Sequence, residues 1–250
     1  MKSIKSMVKY FSVGEIVLWC CSVVLIVVSF CIFDRENYLT LVASLIGVTS
    51  LIFNAKGNPV GQVLMIVFSI IYGYISFKFK YYGEMLTYVC MTLPMAVFAL
   101  ISWLKNPYKG KKSEVKVNKL KKKEPIFMWI ATIAITVGFY FILKAFDTKN
   151  IIPSTISVTT SFLAVYLTFR RSPYYAIGYA ANDIVLIILW ILATIENISY
   201  LSVVVCFVAF LANDIYGFIS WQKMAKRQAA GEQPLPSPEI VEDDQQERTD

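Results

Sequence analysis

Residues 172–223 read SPYYAIGYAANDIVLIILWILATIENISYLSVVVCFVAFLANDIYGFISWQK, and everything else in the chain is interpreted from this stretch. Two apolar runs within it, each long enough to cross a bilayer, carry the same four residues, Ala181-Asn182-Asp183-Ile184 and Ala212-Asn213-Asp214-Ile215. A carboxylate in hydrocarbon costs several kcal/mol unless something partners it. Lipid offers no water to do so, and the two aspartates are therefore expected to face a protein interior or a wet cavity. The reading is a helical membrane bundle with a polar path through its middle.

Composition agrees along the whole length. Of 250 residues 57% are hydrophobic and 16% charged, with a mean hydropathy of +0.58. Soluble domains hold about 45–50% apolar and about 25% charged residues. With about 20 residues needed per spanning helix, the apolar runs predict eight spans, near 16–33, 38–55, 60–78, 83–104, 126–146, 153–169, 174–195 and 199–221. Little chain is left for a soluble catalytic domain. The organisation expected is an N-terminal segment with a peripheral first helix (1–37), a triple-helix unit (38–104), a basic linker with its own helix (105–152), a second triple-helix unit (153–225) and a disordered acidic tail (226–250).

Charge sets the expected orientation. With eight spans, one side collects Lys2, Lys5, Lys9, Lys56, the lysines from Lys105 to Lys123, Arg170, Arg171, Lys223, Lys226 and Arg227. The other side holds Arg35, Lys78, Lys80, Lys144 and Lys149. Cytoplasmic loops carry the basic excess, so both termini are expected in the cytoplasm of a cell with the chain in its inner (plasma) membrane. The basic stretch Lys105–Glu124 is read as a topology-setting loop near anionic headgroups. A charge of +7 distributed this way flanks spans and builds no nucleic-acid stripe.

Catalytic chemistry finds few candidates. Histidine is absent, which removes the commonest metal ligand and the usual neutral-pH proton carrier. The five cysteines lie in apolar runs without metal spacing and are expected to be buried, inert thiols. No phosphate loop of the G-x-x-x-x-G-K-[ST] type and no G-x-S-x-G elbow occurs. No enzyme activity, cofactor or metal is expected, and transport driven by ATP within this chain is excluded.

The chain also repeats itself. Ile101-Ser102-Trp103-Leu104-Lys105 closes the fourth span as Ile219-Ser220-Trp221-Gln222-Lys223 closes the eighth, an offset of 118; Asn58-Pro59 opens the third as Ser172-Pro173 opens the seventh, an offset of 114. Spans two to four and six to eight thus read as two copies of a three-helix unit, made parallel by the fifth span between them. The fold expected is an all-α polytopic protein with a 3+1+3 parallel-repeat core, the plan of the SWEET sugar carriers, plus one extra N-terminal helix. The copies differ in chemistry: by the proline alignment Phe68 stands where the second has Asn182, and Ala96-Val97 or a near neighbour stands opposite Asn213-Asp214.

Helical spacing nominates the binding residues. Asp183, Leu186 and Trp190 fall on one face of the seventh span; on the eighth, Asn213, Tyr216 and Ser220 share a stripe beside Asp214, Gly217 and Trp221. Amides, carboxylates and aromatic rings suit a flat, cationic heteroaromatic ligand with hydroxyls. The first copy adds Tyr72, Tyr88 and Thr92, with Pro94 as a kink. Trp103 and Trp221, at span ends, are read as interfacial anchors. The plainer alternative is that the asparagines simply bond helix to helix.

Through the 3+1+3 plan, the run from Asn182-Asp183 to Trp190 and the closing Asn213-Asp214-Ile215-Tyr216-Gly217 to Trp221, residues 38–225 resemble the PnuC family of bacterial vitamin transporters. The resemblance implies facilitated diffusion of nicotinamide riboside, a cationic pyridinium nucleoside, which a separate cytoplasmic kinase then traps for NAD synthesis. Ala96 departs from it, since the resemblance leads one to expect an intramembrane Asn there. Thiamine, riboflavin and deoxynucleosides remain as alternative cargoes, with ion-coupled symport and a non-transporting scaffold as alternative roles. The expected partners are the small-molecule cargo and the bilayer, with association into a homo-oligomer left open.

Overall fold

The structure, a computed structural model, describes residues 10–78, 81–148 and 150–232. The tail expected to be disordered lies largely outside these residues, as do Lys2, Lys5, Lys9, Lys80 and Lys149. Among the described residues eight helices are long and apolar enough to span a membrane: α1 (Val13–Phe33), α2 (Tyr38–Ala55), α3 (Val60–Lys78), α4 (Tyr82–Leu104), α5 (Glu124–Ala145), α6 (Ile151–Phe169), α7 (Tyr175–Thr194) and α8 (Leu201–Ala229). Large apolar side chains remain exposed on their outer faces, among them Val24, Ile70, Ile126, Phe127, Ile133 and Ile188. Eight such helices with apolar outer faces make a multi-pass membrane protein, since water would penalise that surface.

Local chemistry sets the boundaries. A reciprocal capping box starts α1: the Ser12 amide donates to Glu15 Oε2 at 2.7 Å and the Glu15 amide to Ser12 Oγ at 3.3 Å. This places Glu15 inside the first span, ahead of the expected start at residue 16. Within α4, residues Thr87–Thr92 widen into a π-helical turn, with the Leu93 amide donating to the Tyr88 carbonyl. Pro94 has no N–H to return to the preceding turn, and the ladder shifts register there.

Within each triple the helices pack in sequence, and the third helix of each meets the first of the other, α4 on α6 and α8 on α2. The closing residues make that exchange. Ser102 Oγ donates to the Phe169 carbonyl at 3.0 Å and Trp103 Nε1 to the Thr168 carbonyl at 3.0 Å. In the other half Ser220 Oγ donates to the Ala55 carbonyl at 2.7 Å and Trp221 Nε1 to the Asn54 carbonyl at 2.8 Å. The donors are separated by 118 positions and the acceptors by 114, the two offsets read from the sequence. The tryptophans are therefore not interfacial anchors: both are fully buried, with ring centroids 5.4 Å apart, because each indole fills the crossing between the triples and satisfies its N–H on a helix end.

Two further expectations change. The basic linker is not a free loop but folds onto the helix ends. Its hairpin, β1 (Pro107–Tyr108) and β2 (Lys111–Val115), turns at Lys109-Gly110, both with positive φ. The Val115 amide then donates to the Gly57 carbonyl at 2.9 Å and the Asn118 amide to the Arg171 carbonyl at 3.0 Å. Buried Glu114 pairs with Arg227 at 2.6 Å. One end of the molecule, the basic face, is thereby laced together. The cysteines are the second change: Cys206 is buried, but Cys20, Cys21, Cys31 and Cys90 are exposed on outward helix faces, where a small apolar side chain suits lipid as well as a core.

Helix α1 packs against α2 and α8 and is bonded to the core as well as lying beside it. Lys56 Nζ pairs with Glu15 Oε2 at 3.1 Å in a buried salt bridge, and its charge sits 4.7 Å from the Tyr10 ring centroid. Burial pushes the Tyr10 hydroxyl up to about 12, so it stays neutral beside that pair.

Candidate functional site

Both aspartates are buried at mid-depth, where α7 and α8 meet, and their carboxyl groups lie within hydrogen-bonding reach of each other. One oxygen, Asp183 Oδ2, has no hydrogen-bond partner. Such a pair faces a cavity of about 30 Å³ lined by Leu51, Met65, Phe68, Tyr88, Thr92, Ser161, Tyr179, Asn182, Asp183, Phe207, Phe210 and Asp214. All three helices of each triple contribute to the wall, so the site belongs to the junction of the halves. Ligand pockets run to about 300–1,000 Å³, so a nucleoside enters only if the helices around this cavity separate.

Among the residues nominated from sequence, the structure brings Asn182, Asp183, Asp214, Tyr88 and Thr92 together on the cavity wall. Asn182 Oδ1 accepts from Thr160 and Ser161 of α6 at 2.9 Å each and from Ser157 at 3.2 Å. That hydroxyl cluster fixes the amide and leaves its NH2 end for the site.

The others lie elsewhere. Asn213 donates to Ser22 Oγ of α1 at 2.9 Å, and Tyr216 donates to Glu15 Oε1 at 2.9 Å. The stripe Asn213, Tyr216, Ser220 thus faces α1 and α2, not the cavity; for Asn213 this is the helix-to-helix bond of the plainer reading. Trp190 lies two turns beyond Asp183, towards the face opposite the lysines, with its ring 5.0 Å from Tyr81 and 5.5 Å from Tyr200. Tyr72 sits between these levels, 4.5 Å from Tyr88 and 5.4 Å from Phe68. Aromatic rings thus close the route from the opposite face down to the carboxyl pair. Burial, with Tyr200 and Glu196 nearby, pushes the Tyr81 hydroxyl up to about 12, and that cover carries no charge of its own from Tyr81.

Sequence reasoning missed Tyr179, Phe207 and Phe210 on the wall. Tyr179 was legible, since it precedes Asp183 by one helical turn on the same face. Phe210 stands in the same relation to Asp214. Two buried carboxylates, Glu15 and Glu84, were also missed because each sits in the first turn of its span, where a charge reads as punctuation.

Comparison with known proteins follows the geometry. A profile described as nicotinamide mononucleotide transporter matches residues 37–223. Among curated relatives, a nicotinamide riboside transporter PnuC of Neisseria mucosa is 25% identical over 205 residues, covering 78% of this chain and 76% of the relative. A protein of the same name from Haemophilus influenzae is 22% identical over 199 residues, covering 77% and 82%. A crystal structure of the vitamin B3 transporter PnuC superposes with a TM-score of 0.75 at 24% identity, covering 87% of this chain and 94% of that one. That likeness shows the shared fold.

Proposed function

The chain belongs to the nicotinamide mononucleotide transporter family, and from that premise we propose that it carries nicotinamide riboside across the membrane by facilitated diffusion. The observation that carries this reading is the buried Asp183–Asp214 pair in an aromatic cavity. A pyridinium ring supplies the positive charge that two adjacent carboxyls in a low-dielectric interior call for, and Tyr88, Tyr179 and the phenylalanines supply faces for it. The ribose hydroxyls suit Asn182, Thr92 and the carboxylates.

Charge also distinguishes riboside from mononucleotide. Among the described residues the cavity wall contains two aspartates and no lysine or arginine. A phosphate brought there would meet like charge and no cation, whereas the unphosphorylated riboside brings the complementary sign. In this reading the carrier is not itself an enzyme, and a separate kinase phosphorylates the riboside after entry, which keeps the inward gradient.

Orientation follows the basic excess, with the laced face and both termini in the cytoplasm and the chain in the inner (plasma) membrane. Transport proceeds by rocking of the two triples about their junction, alternately exposing the carboxyl pair. Thr92, Tyr88, Asn182, Asp183 and Asp214 contact cargo in the cavity; Tyr72 and Trp190 line the approach. Asn213 and Tyr216 act indirectly, by holding α8 to α1.

The test is uptake of labelled nicotinamide riboside by purified protein in liposomes. The reading expects saturable entry to the external concentration and no higher, unaffected by collapsing proton or sodium gradients. Absence of uptake refutes it, and uptake abolished by an ionophore replaces uniport with symport through the same carboxyls.

A further inference from the structure

On the basic face, where α5 and α7 begin and α8 ends, a cleft of about 570 Å³ opens between the linker, the turn joining α6 to α7, and α8. Its walls include Lys119, Ser172, Tyr174, Gln222 and Lys226. Clefts of about 300–1,000 Å³ hold small ligands. It shares no lining residue with the mid-depth cavity.

The cations around this cleft are short of counter-charge. Elsewhere on the same face the arginines are neutralised, Arg170 by Glu124 and Arg227 by Glu114. Among the described residues neither Lys119 nor Lys226 forms an ion pair. Arg171, the residue before Ser172, has a buried Nε without a partner, and burial, then the charge of Arg170, holds its guanidinium below the ordinary range. Phosphate oxygens are the acceptors that such donors bind most strongly.

Two exposed stripes lead out of the cleft along the spans. On α8, Ile215, Ile219, Gln222 and Lys226 recur at three- and four-residue steps, so one helix face turns from apolar to basic where it reaches the cleft. On α7, Ile177, Ile184 and Ile188 continue the face that Tyr174 begins, and all are exposed. The Tyr174 ring lies 6.3 Å from that of Phe218 on α8, which sets the two stripes side by side. An amphiphile with a phosphate head and apolar tails presents its groups in this same order, whereas a soluble phosphate ester matches the head alone.

We propose that the cleft binds the headgroup of an anionic glycerophospholipid from the leaflet at the basic face, with Lys119 and Lys226 on its phosphate, Gln222 beside them, and its acyl chains along the α7 and α8 stripes. Lys119 belongs to the linker and Lys226 to α8, so one lipid ties the linker to the second triple whatever cargo the triples carry.

The experiment strips full-length protein of lipid in detergent and titrates it with phosphatidylglycerol, with phosphatidylcholine of the same chains, and with glycerol phosphate. Melting temperature and lipid retained in the mass spectrum are read for wild type, for Lys119→Gln/Lys226→Gln, and for Lys111→Gln/Lys112→Gln, which removes the same charge from the hairpin outside the cleft. Phosphatidylglycerol is expected to raise the wild-type melting temperature, to bind the cleft variant roughly thirtyfold more weakly, and to bind the hairpin variant as it binds wild type. Equal weakening in both variants overturns the site in favour of diffuse attraction to the basic face, and equal binding of phosphatidylcholine overturns it as well. Glycerol phosphate that stabilises wild type as much as phosphatidylglycerol does assigns the cleft to a soluble phosphate and overturns the lipid. Should the cleft variant fail to fold, wild type is irradiated with phosphatidylglycerol carrying a photoreactive acyl chain. Labelling of the α7 and α8 stripe peptides that unlabelled phosphatidylglycerol competes away is expected, and labelling spread evenly over all outer helix faces overturns the proposal.

Discussion

In the first half, Ser102 and Trp103 of α4 reach the last carbonyls of α6; in the second, Ser220 and Trp221 of α8 reach the last carbonyls of α2. These paired bonds match in donor type, acceptor position and burial. Two helical turns from that likeness, at mid-depth, the halves part company. The second half holds Asn182, Asp183 and Asp214, where the first has Phe68, Ser69 and Ala96, all buried. A repeated scaffold with an unrepeated site teaches that the clamp serves the fold of either half equally, while polarity serves one asymmetric cargo. Buried charge has a desolvation cost, and a second copy of it would add that cost without adding a ligand to offset it.

The clamp is the place where the halves should respond alike. Trp103→Ala and Trp221→Ala each open a void between the triples and orphan a helix-end carbonyl, with an expected loss of about 3–5 kcal/mol apiece. Thermal melting in detergent measures both, and a difference between them of more than about 2 kcal/mol would break the equivalence. At the site the halves should differ. Asp183→Asn and Asp214→Asn each remove a charge-assisted contact and are expected to weaken riboside binding by about 1.5–3 kcal/mol, with little loss of ligand-free stability. Calorimetric titration beside a melting curve separates those two effects; a variant that only melts early would return the aspartates to the role of helix glue. The smallest effect belongs to the clamp hydroxyls. Ser102→Ala and Ser220→Ala should each cost about 0.5–1.5 kcal/mol, again in step with each other.

Much of this was legible in the sequence because hydrocarbon enforces it. Span length and the two offsets follow from the bilayer and from local motifs; seven spans reappear within a few residues, and the eighth starts as expected but runs on to Ala229, eight residues past its expected end. What tertiary packing decides was not legible. Trp103 and Trp221 sit at span ends, where an indole ordinarily meets headgroups, and only the crossing of α4 on α6 and α8 on α2 buries them. Asn213 and Tyr216 share a helix with Asp214, but the face they occupy meets α1, a helix whose closeness to the core depends on the Glu15–Lys56 pair, 41 residues apart in sequence. Trp190 lies on the same helical face as Asp183, as its spacing indicates; its depth, two turns nearer the opposite end, places it on the approach and not in the cavity.

The central claim is that the unrepeated carboxyl pair recognises positive charge on an aromatic riboside. Its most direct test is equilibrium binding of nicotinamide riboside and of the dihydro form, which has the same sugar and an uncharged ring, to wild type and to the Asp183→Asn/Asp214→Asn double variant. The account predicts that wild type prefers the cation by about tenfold or more and that the double variant loses this preference while still folding. Equal affinity for both forms in wild type, or a preference that survives loss of both carboxylates, would contradict it.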